Sequence, residues 1–105
     1  PEVALRLWSE LLGQHPDRWA ARLARGVLLF KKGQLEPSQA DLQAYVGAQP
    51  DSSIGHFDLA MVFLQRSRVE NSERYLQQGK RELDEALRLN PQFEAAQKLR
   101  AQLGG

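Results

Sequence analysis

Cysteine is absent from this 105-residue sequence, and histidine occurs only twice. Without thiols the chain has no disulfide, no thiolate nucleophile and no cysteine-ligated metal. His15 and His56 stand too far apart in the sequence for a local metal-ligand motif. A G-x-S-x-G nucleophile turn and a glycine-rich phosphate loop are also missing. We therefore expect a protein that is not an enzyme and that uses no metal or other cofactor.

An excess of charge of one sign is missing as well. Fourteen Lys and Arg face thirteen Asp and Glu, which leaves a net charge of +1. Nucleic-acid and acidic-membrane surfaces usually need a marked basic excess. No apolar run approaches the roughly 18 residues that span a bilayer. We expect no nucleic acid among the partners and no direct membrane insertion.

The overall composition, 42% hydrophobic and 26% charged, is that of an ordinary soluble globular domain. The chain starts at Pro1 rather than at a methionine and ends in Gly104-Gly105, so we expect a fragment of a larger protein. Its compartment stays open between cytoplasm and periplasm. An excess of Arg over Lys favours a bacterial source.

The sequence repeats. Pro16 and Pro50 are 34 residues apart, and Pro91 follows Pro50 after 41 residues, which is seven more. Each proline follows a stretch in which a small or polar residue, a large apolar residue and a third residue share one helical stripe. The three stripes are Ala4, Trp8 and Leu11; Ser38, Leu42 and Tyr45; and Gly79, Leu83 and Ala86.

A specific family pattern accompanies this period. Arg25-Gly26 is followed by Gly33, then by Asp41-Leu42 and finally by Pro50. This arrangement resembles the tetratricopeptide repeat, a 34-residue helix–turn–helix unit. The resemblance implies an all-α fold, a right-handed superhelical stack of antiparallel helix hairpins. Two residues depart from the pattern: Arg22 replaces an aromatic residue or Leu, and Ser67 replaces the turn glycine.

We predict about six helices within a single domain, residues 1–105. The predicted helices are 2–14, 17–32, 36–48, 52–67, 72–89 and 92–103. In repeat terms, 2–14 is the outer helix of a truncated repeat, 17–50 is a repeat, 51–91 is a repeat with the seven-residue insertion, and 92–103 is a capping helix.

Local signals add detail to these helices. Asp17 and Asp51 precede two of them as candidate N-caps, and Asn71 or Ser72 precedes another. Gly33 is expected to close a helix in the left-handed conformation. The insertion is expected to start the fifth helix early, with the turn at 67–71.

Five residues are assigned structural roles. Arg25 on an inner helix is expected to pair with Asp41 on the outer helix, since an arginine among apolar neighbours needs a partner. Gly26 and Ala60 occupy small positions where helices pack closely. Trp8 fills the bulky position of its stripe and is expected in the core.

The resemblance implies a non-enzymatic protein–protein interaction module or scaffold. One subclass binds acidic chaperone tails with Lys, Asn and Arg, but the matching places here hold Leu23, Val27 and Asp58, so that function is not expected. The inner row is mostly apolar instead, which favours a partner helix or peptide in an apolar groove. The predicted binding residues are Leu23, Val27, Phe30, Lys31, Ile54, Phe57, Met61, Leu64 and Gln65.

Other interpretations stay open at this level. The same row is explained equally well as core, because each inner helix packs against two outer helices. The chain is alternatively a structural spacer of a bacterial envelope or secretion protein, its concave face covered by the parent chain. A second copy of the fragment is a further possible occupant.

Overall fold

The computed structural model describes residues 2–104, and within that range the regular structure is entirely helical. The all-α prediction is therefore confirmed. The six helices are α1 (Glu2–Gln14), α2 (Trp19–Lys31), α3 (Leu35–Ala48), α4 (Ser53–Val69), α5 (Glu73–Leu89) and α6 (Glu94–Leu103).

The helices stack in chain order. Connections of three or four residues join them, and such short connections bring consecutive helices together as antiparallel neighbours. The most extensive contacts are within the α2–α3 and α4–α5 hairpins, and α2 also touches α4 directly. The described chain measures 43 × 28 × 20 Å. Helices α2 and α4 thus lie side by side, backed by α3 and α5.

The core consists of two clusters that both include α4. One cluster is built from Leu42, Leu59, Val62 and Phe63 and joins the two hairpins. The other joins α4, α5 and α6 through Ala60, Leu83 and Ala96. Since α4 supplies residues to both clusters, it is buried on most sides and connects the two ends of the stack.

Small residues let the paired helices approach closely. A Cβ added to Gly26 would lie 2.9 Å from Leu42 Cγ, nearer than van der Waals contact allows. The Ser38 hydroxyl donates to the Gly26 carbonyl at 2.7 Å. In the second hairpin, a Cβ on Gly79 would lie 2.7 Å from Leu64 Cδ2, and Ala60 is fully buried. The close packing predicted at Gly26 and Ala60 is confirmed.

The seven-residue insertion lengthens both helices of the second hairpin. Helix α4 has 17 residues against 13 in α2, and α5 has 17 against 14 in α3. The prediction that the insertion mainly starts the fifth helix early was wrong, because α4 takes the larger share. The turn lies at 70–72 rather than 67–71, so Ser67 is inside α4.

The two hairpin turns share one mechanism. Gly33 has φ +79°, as predicted, and Gln34 N–H donates to the Leu29 carbonyl at 2.9 Å. Asn71 takes the same place in the second hairpin with φ +51°, and Ser72 N–H donates to the Ser67 carbonyl at 2.9 Å. Both are Schellman-type helix ends, and asparagine is the residue after glycine that best tolerates this conformation.

Two of the predicted N-caps were wrong. Ser52, not Asp51, caps α4 through its hydroxyl, which accepts from Gly55 N–H at 3.0 Å. Helix α2 begins at Trp19, and its N-cap residue is Arg18, not Asp17, with no side-chain cap bond. The prediction at the insertion is confirmed for Ser72, whose hydroxyl accepts from Tyr75 N–H at 3.2 Å. The short hydroxyl of serine meets the cap geometry directly.

Candidate partner-binding face

A partly buried ion pair fixes the orientation of α2 on α3. Arg25 Nε and Nη2 each donate to Asp41 at 2.7 Å, a two-pronged geometry, and Asp41 is only 2% exposed. The hydrogen bond to Asp41 raises the pKa of Arg25 above its ordinary value. This pairing confirms the prediction. Because a bidentate pair fixes geometry as well as charge, it sets which side of α2 faces outward.

Arg22, the departure from the family pattern, belongs to the same arrangement. Its Nη1 lies 3.5 Å from Asp41 Oδ1, and its Nη2 donates to the Pro16 carbonyl at 3.2 Å. The guanidinium also stands 5.6 Å from the centre of the Trp19 ring. Arg22 therefore occupies the place of an apolar side chain by using two acceptors and a ring face as partners.

On the outward side of α2 lies a shallow open depression of about 400 Å³. We call it the α2 groove. Most of its lining is apolar, with one cation and one carboxyl group. The lining residues are Trp8, Ala20, Leu23, Ala24, Val27, Leu28, Lys31 and Asp58.

The groove continues into a small recess between α2 and α4. Val27 and Asp58 line both the groove and the recess, and Phe30, Leu42 and Met61 complete the recess. The two spaces are therefore parts of one surface. It runs from α1 across α2 to the inner side of α4.

Asp58 is the unusual group on this surface. It is partly buried, and no described residue forms a hydrogen bond with its carboxylate. Burial raises the pKa of Asp58 from 3.8 to about 6, and the positive charge of Lys31 opposes that rise. Desolvation thus outweighs the attraction of the one cation beside it.

The predicted binding row is divided by the fold. Leu23, Val27 and Lys31 line the α2 groove, while Phe30 and Met61 line the recess. On α4, the remaining members have different surroundings. Ile54 is 56% exposed, Phe57 packs against Phe93 with ring centres 4.9 Å apart, Leu64 is 8% exposed, and Gln65 is partly exposed.

Docking of α6 accounts for the covering of Phe57, whereas Leu64 packs against Gly79 of α5. Phe57 and Phe93 belong to the shell around the Ala60, Leu83 and Ala96 cluster. The side of α4 that faces α6 is therefore covered, while the side that faces α2 stays open. The binding role of each residue in the row stays a prediction.

The predicted binding set did not include five of the groove residues: Trp8, Ala20, Ala24, Leu28 and Asp58. Trp8, expected in the core, is partly exposed and lines the groove. The signal for Asp58 was present, since it is a lone acid among apolar residues on the inner side of a helix.

Two larger depressions have different character. One, of about 630 Å³, lies over α1, α2 and α3, but its buried or partly buried charged groups are paired, because Arg22 and Arg25 both contact Asp41. The other, of about 590 Å³, lies between the α4–α5 tip and α6, with Arg68 and Glu73 in its lining. Neither holds a partly buried charge without a hydrogen bond, which singles out the α2 groove.

His56 has a structural position. Its Nδ1 lies 2.7 Å from Glu82 Oε1, and its Nε2 lies 2.9 Å from the Pro50 carbonyl oxygen. The ring is buried and joins α4 to α5 and to the preceding loop. Among the described residues no group of three His, Asp or Glu side chains is close enough to hold a metal ion.

The family model described as Tetratricopeptide repeat matches residues 1–37, which cover α1, α2 and the start of α3. This match supports a tetratricopeptide repeat assignment, and the all-helical fold of stacked hairpins is consistent with it. No curated protein matches the chain. Tetratricopeptide repeats generally mediate protein–protein interactions, and the family is typically a non-enzymatic scaffold. Within residues 2–104, no helix has both the length and the apolar character needed to cross a bilayer.

Proposed function

We propose that the chain is a protein-interaction module that binds one helix or peptide of a partner in the α2 groove. The observation that carries this proposal is an open, mostly apolar depression of about 400 Å³, which continues into a recess on α4. A binding site of this kind needs a few apolar pockets rather than a closed cavity. We also propose that residues 1–105 act as one domain with the repeat divisions given above.

The predicted binding residues have different roles in this proposal. Leu23 and Val27 form the apolar floor, and Phe30 and Met61 provide further apolar contacts at the small recess beside it. Lys31 and Gln65 border the apolar surface, and Ile54 extends it. Phe57 and Leu64 support α4 from its covered side. A partner helix fits because its apolar residues recur on one face at the spacing of successive turns.

Selection of helical peptides from a displayed library, followed by NMR titration, tests the proposal. Selected peptides should shift the signals of Leu23, Val27 and Met61. The substitution Val27→Asp should abolish binding while the far-UV circular dichroism spectrum is unchanged, because Val27 is on the surface of both cavities.

Val69→Asp is the matched control. Val69 is 65% exposed and ends α4 outside the groove, so the same change there should leave binding intact. If Val27→Asp unfolds the chain, the groove side of α2 is core. If no peptide shifts the groove residues, the groove is not a partner site, and a spacer covered by its parent chain becomes the better explanation. Dimerisation that Val27→Asp abolishes would identify a second copy as the occupant.

A further inference from the structure

Asp58 stands where the α2 groove meets the recess, and its surroundings are apolar. Val27, Phe30, Leu42 and Met61 line the recess with it, and Trp8 lies across the groove. Lys31 is the only other ionisable side chain in either lining. It comes from α2, and the described residues include no ion pair between it and Asp58. The carboxylate therefore faces the groove without a hydrogen-bonded partner.

Binding of an entirely apolar helix in this groove would carry a desolvation cost at Asp58. Covering the groove removes the water that still solvates Asp58, and a carboxylate buried without a partner is strongly disfavoured. A guest that brings a positive charge to the same point removes this difficulty. It supplies charge-assisted hydrogen bonds at the moment when water is expelled.

We propose that Asp58 is a specificity-determining residue that selects partner helices carrying an Arg or Lys between two apolar anchors. The inference rests on the proposed function, because it concerns the occupant of the same groove. In such a guest the apolar anchors contact Leu23 and the recess around Met61, and the basic side chain between them reaches Asp58.

Charge complementarity decides between classes of guest. An acidic tail would bring a second negative charge beside a carboxylate that is already poorly solvated, and like charges in contact are disfavoured. An entirely apolar helix would bury Asp58 unpaired. Lys31 lies near enough to Asp58 to attract it electrostatically, but burial has the larger effect. The bound peptide therefore has to supply the positive charge that pairs with Asp58.

Three synthetic amphipathic helical peptides test this inference. They share leucine at i and i+7 and a net-neutral polar face, and they differ only at i+4, which is Arg, Gln or Glu. Binding is measured by NMR titration and by Trp fluorescence, since Trp8 lines the groove. We expect the Arg peptide to bind the wild-type chain about tenfold more tightly than the Gln peptide, the factor that one well-placed charge pair provides. The Glu peptide should bind more weakly than either.

Variants of the chain make the assignment specific. Asp58→Asn should remove the preference for Arg over Gln, and Asp58→Lys should reverse it in favour of the Glu peptide. Asp84→Asn is the matched control: it removes an exposed carboxylate on α5 that pairs with Arg100 and should leave the preference unchanged.

The outcomes separate the two proposals. If the Arg and Gln peptides bind wild type equally well, the role of Asp58 is refuted while groove binding stands. If the preference survives in Asp58→Asn, another group is responsible and the inference is likewise refuted. If none of the three peptides binds, a helix in the α2 groove is contradicted, and the inference falls with the proposed function.

Discussion

The substitution Asp58→Asn should stabilise the free protein at neutral pH. Asp58 is ionised at pH 7 although it lies in a partly buried, mostly apolar recess. Asparagine has nearly the same shape and carries no charge. The change therefore removes a desolvation cost and leaves the packing around Val27 and Met61 in place.

The magnitude follows from the displaced pKa. Burial raises the pKa of Asp58 from 3.8 to about 6, roughly two units, and each unit corresponds to about 1.4 kcal/mol. If the whole pKa shift were expressed as free energy of unfolding, it would amount to about 3 kcal/mol. Asp58 is still partly exposed, and solvent screening reduces this figure to about 1–2 kcal/mol. For a domain of this size each kcal/mol shifts the melting temperature by about 4–8 °C.

The pH dependence has a definite sign. A carboxyl group whose pKa is higher in the folded than in the unfolded state stabilises the fold when protonated. That contribution is fully present below about pH 4 and is lost as the pH rises through about 6. Asparagine imitates the protonated form at every pH. The stability difference between the variant and wild type should therefore be largest at pH 7 and vanish near pH 4.

Urea denaturation followed by circular dichroism at pH 7, 5.5 and 4 measures this difference. Comparing the two proteins at each pH cancels the other titrating groups. An Asp58→Asn protein that is less stable than wild type at pH 7 would refute the reasoning, and so would a difference that does not change with pH. Asp84→Asn provides the control, since its exposed carboxylate should show no such gain at neutral pH.

Three further substitutions, with Gly47→Ala as a comparison, test the contacts that stabilise the helices and their packing. Asp41→Asn removes the partner of the Arg25 guanidinium and should lower the free energy of unfolding in urea by about 2–3 kcal/mol, somewhat below a fully buried pair because Arg25 is partly exposed. Gly26→Ala should lower the free energy of unfolding by about 1–3 kcal/mol through overpacking. Gly47→Ala, where the added Cβ meets open space, should instead stabilise α3 by about 0.5–1 kcal/mol. Equal effects of the two substitutions in thermal melts would contradict the close approach at Gly26. Ser72→Ala should cost about 1 kcal/mol through the lost N-cap of α5, and faster amide exchange in the first turn of α5 would locate the effect.

Much of the fold was predictable because the relevant signals are local. The proline-terminated stripes at 34-residue spacing indicate helical hairpins, since the periodicity of a helix is written into successive residues. The Arg25–Asp41 pair was predictable because a charged residue on an inner helix needs a partner, and the hairpin register leaves few candidates. Ser72 was recognisable as a cap for the same local reason.

The insertion shows where local reasoning fails. Seven residues of helix-forming sequence extend either neighbouring helix equally well. The point at which α4 ends is set by the position of a residue that tolerates positive φ and is followed by an N-cap residue. Asn71 and Ser72 satisfy both needs together, so α4 continues past Ser67, the place that corresponds to the turn glycine Gly33.

The sequence by itself determined the class of fold, the hairpin pairing and the apolar character of the inner row, because these follow from periodicity and residue type. Tertiary structure alone decided which part of that row is open. Phe93, the N-cap residue of α6, packs on the Phe57 ring and covers it. The side of α4 that faces α2, around Asp58, stays accessible. Exposure depends on which distant helix packs against a residue, and burial of a carboxyl group depends on neighbours from several helices, so neither can be read from the spacing along one helix.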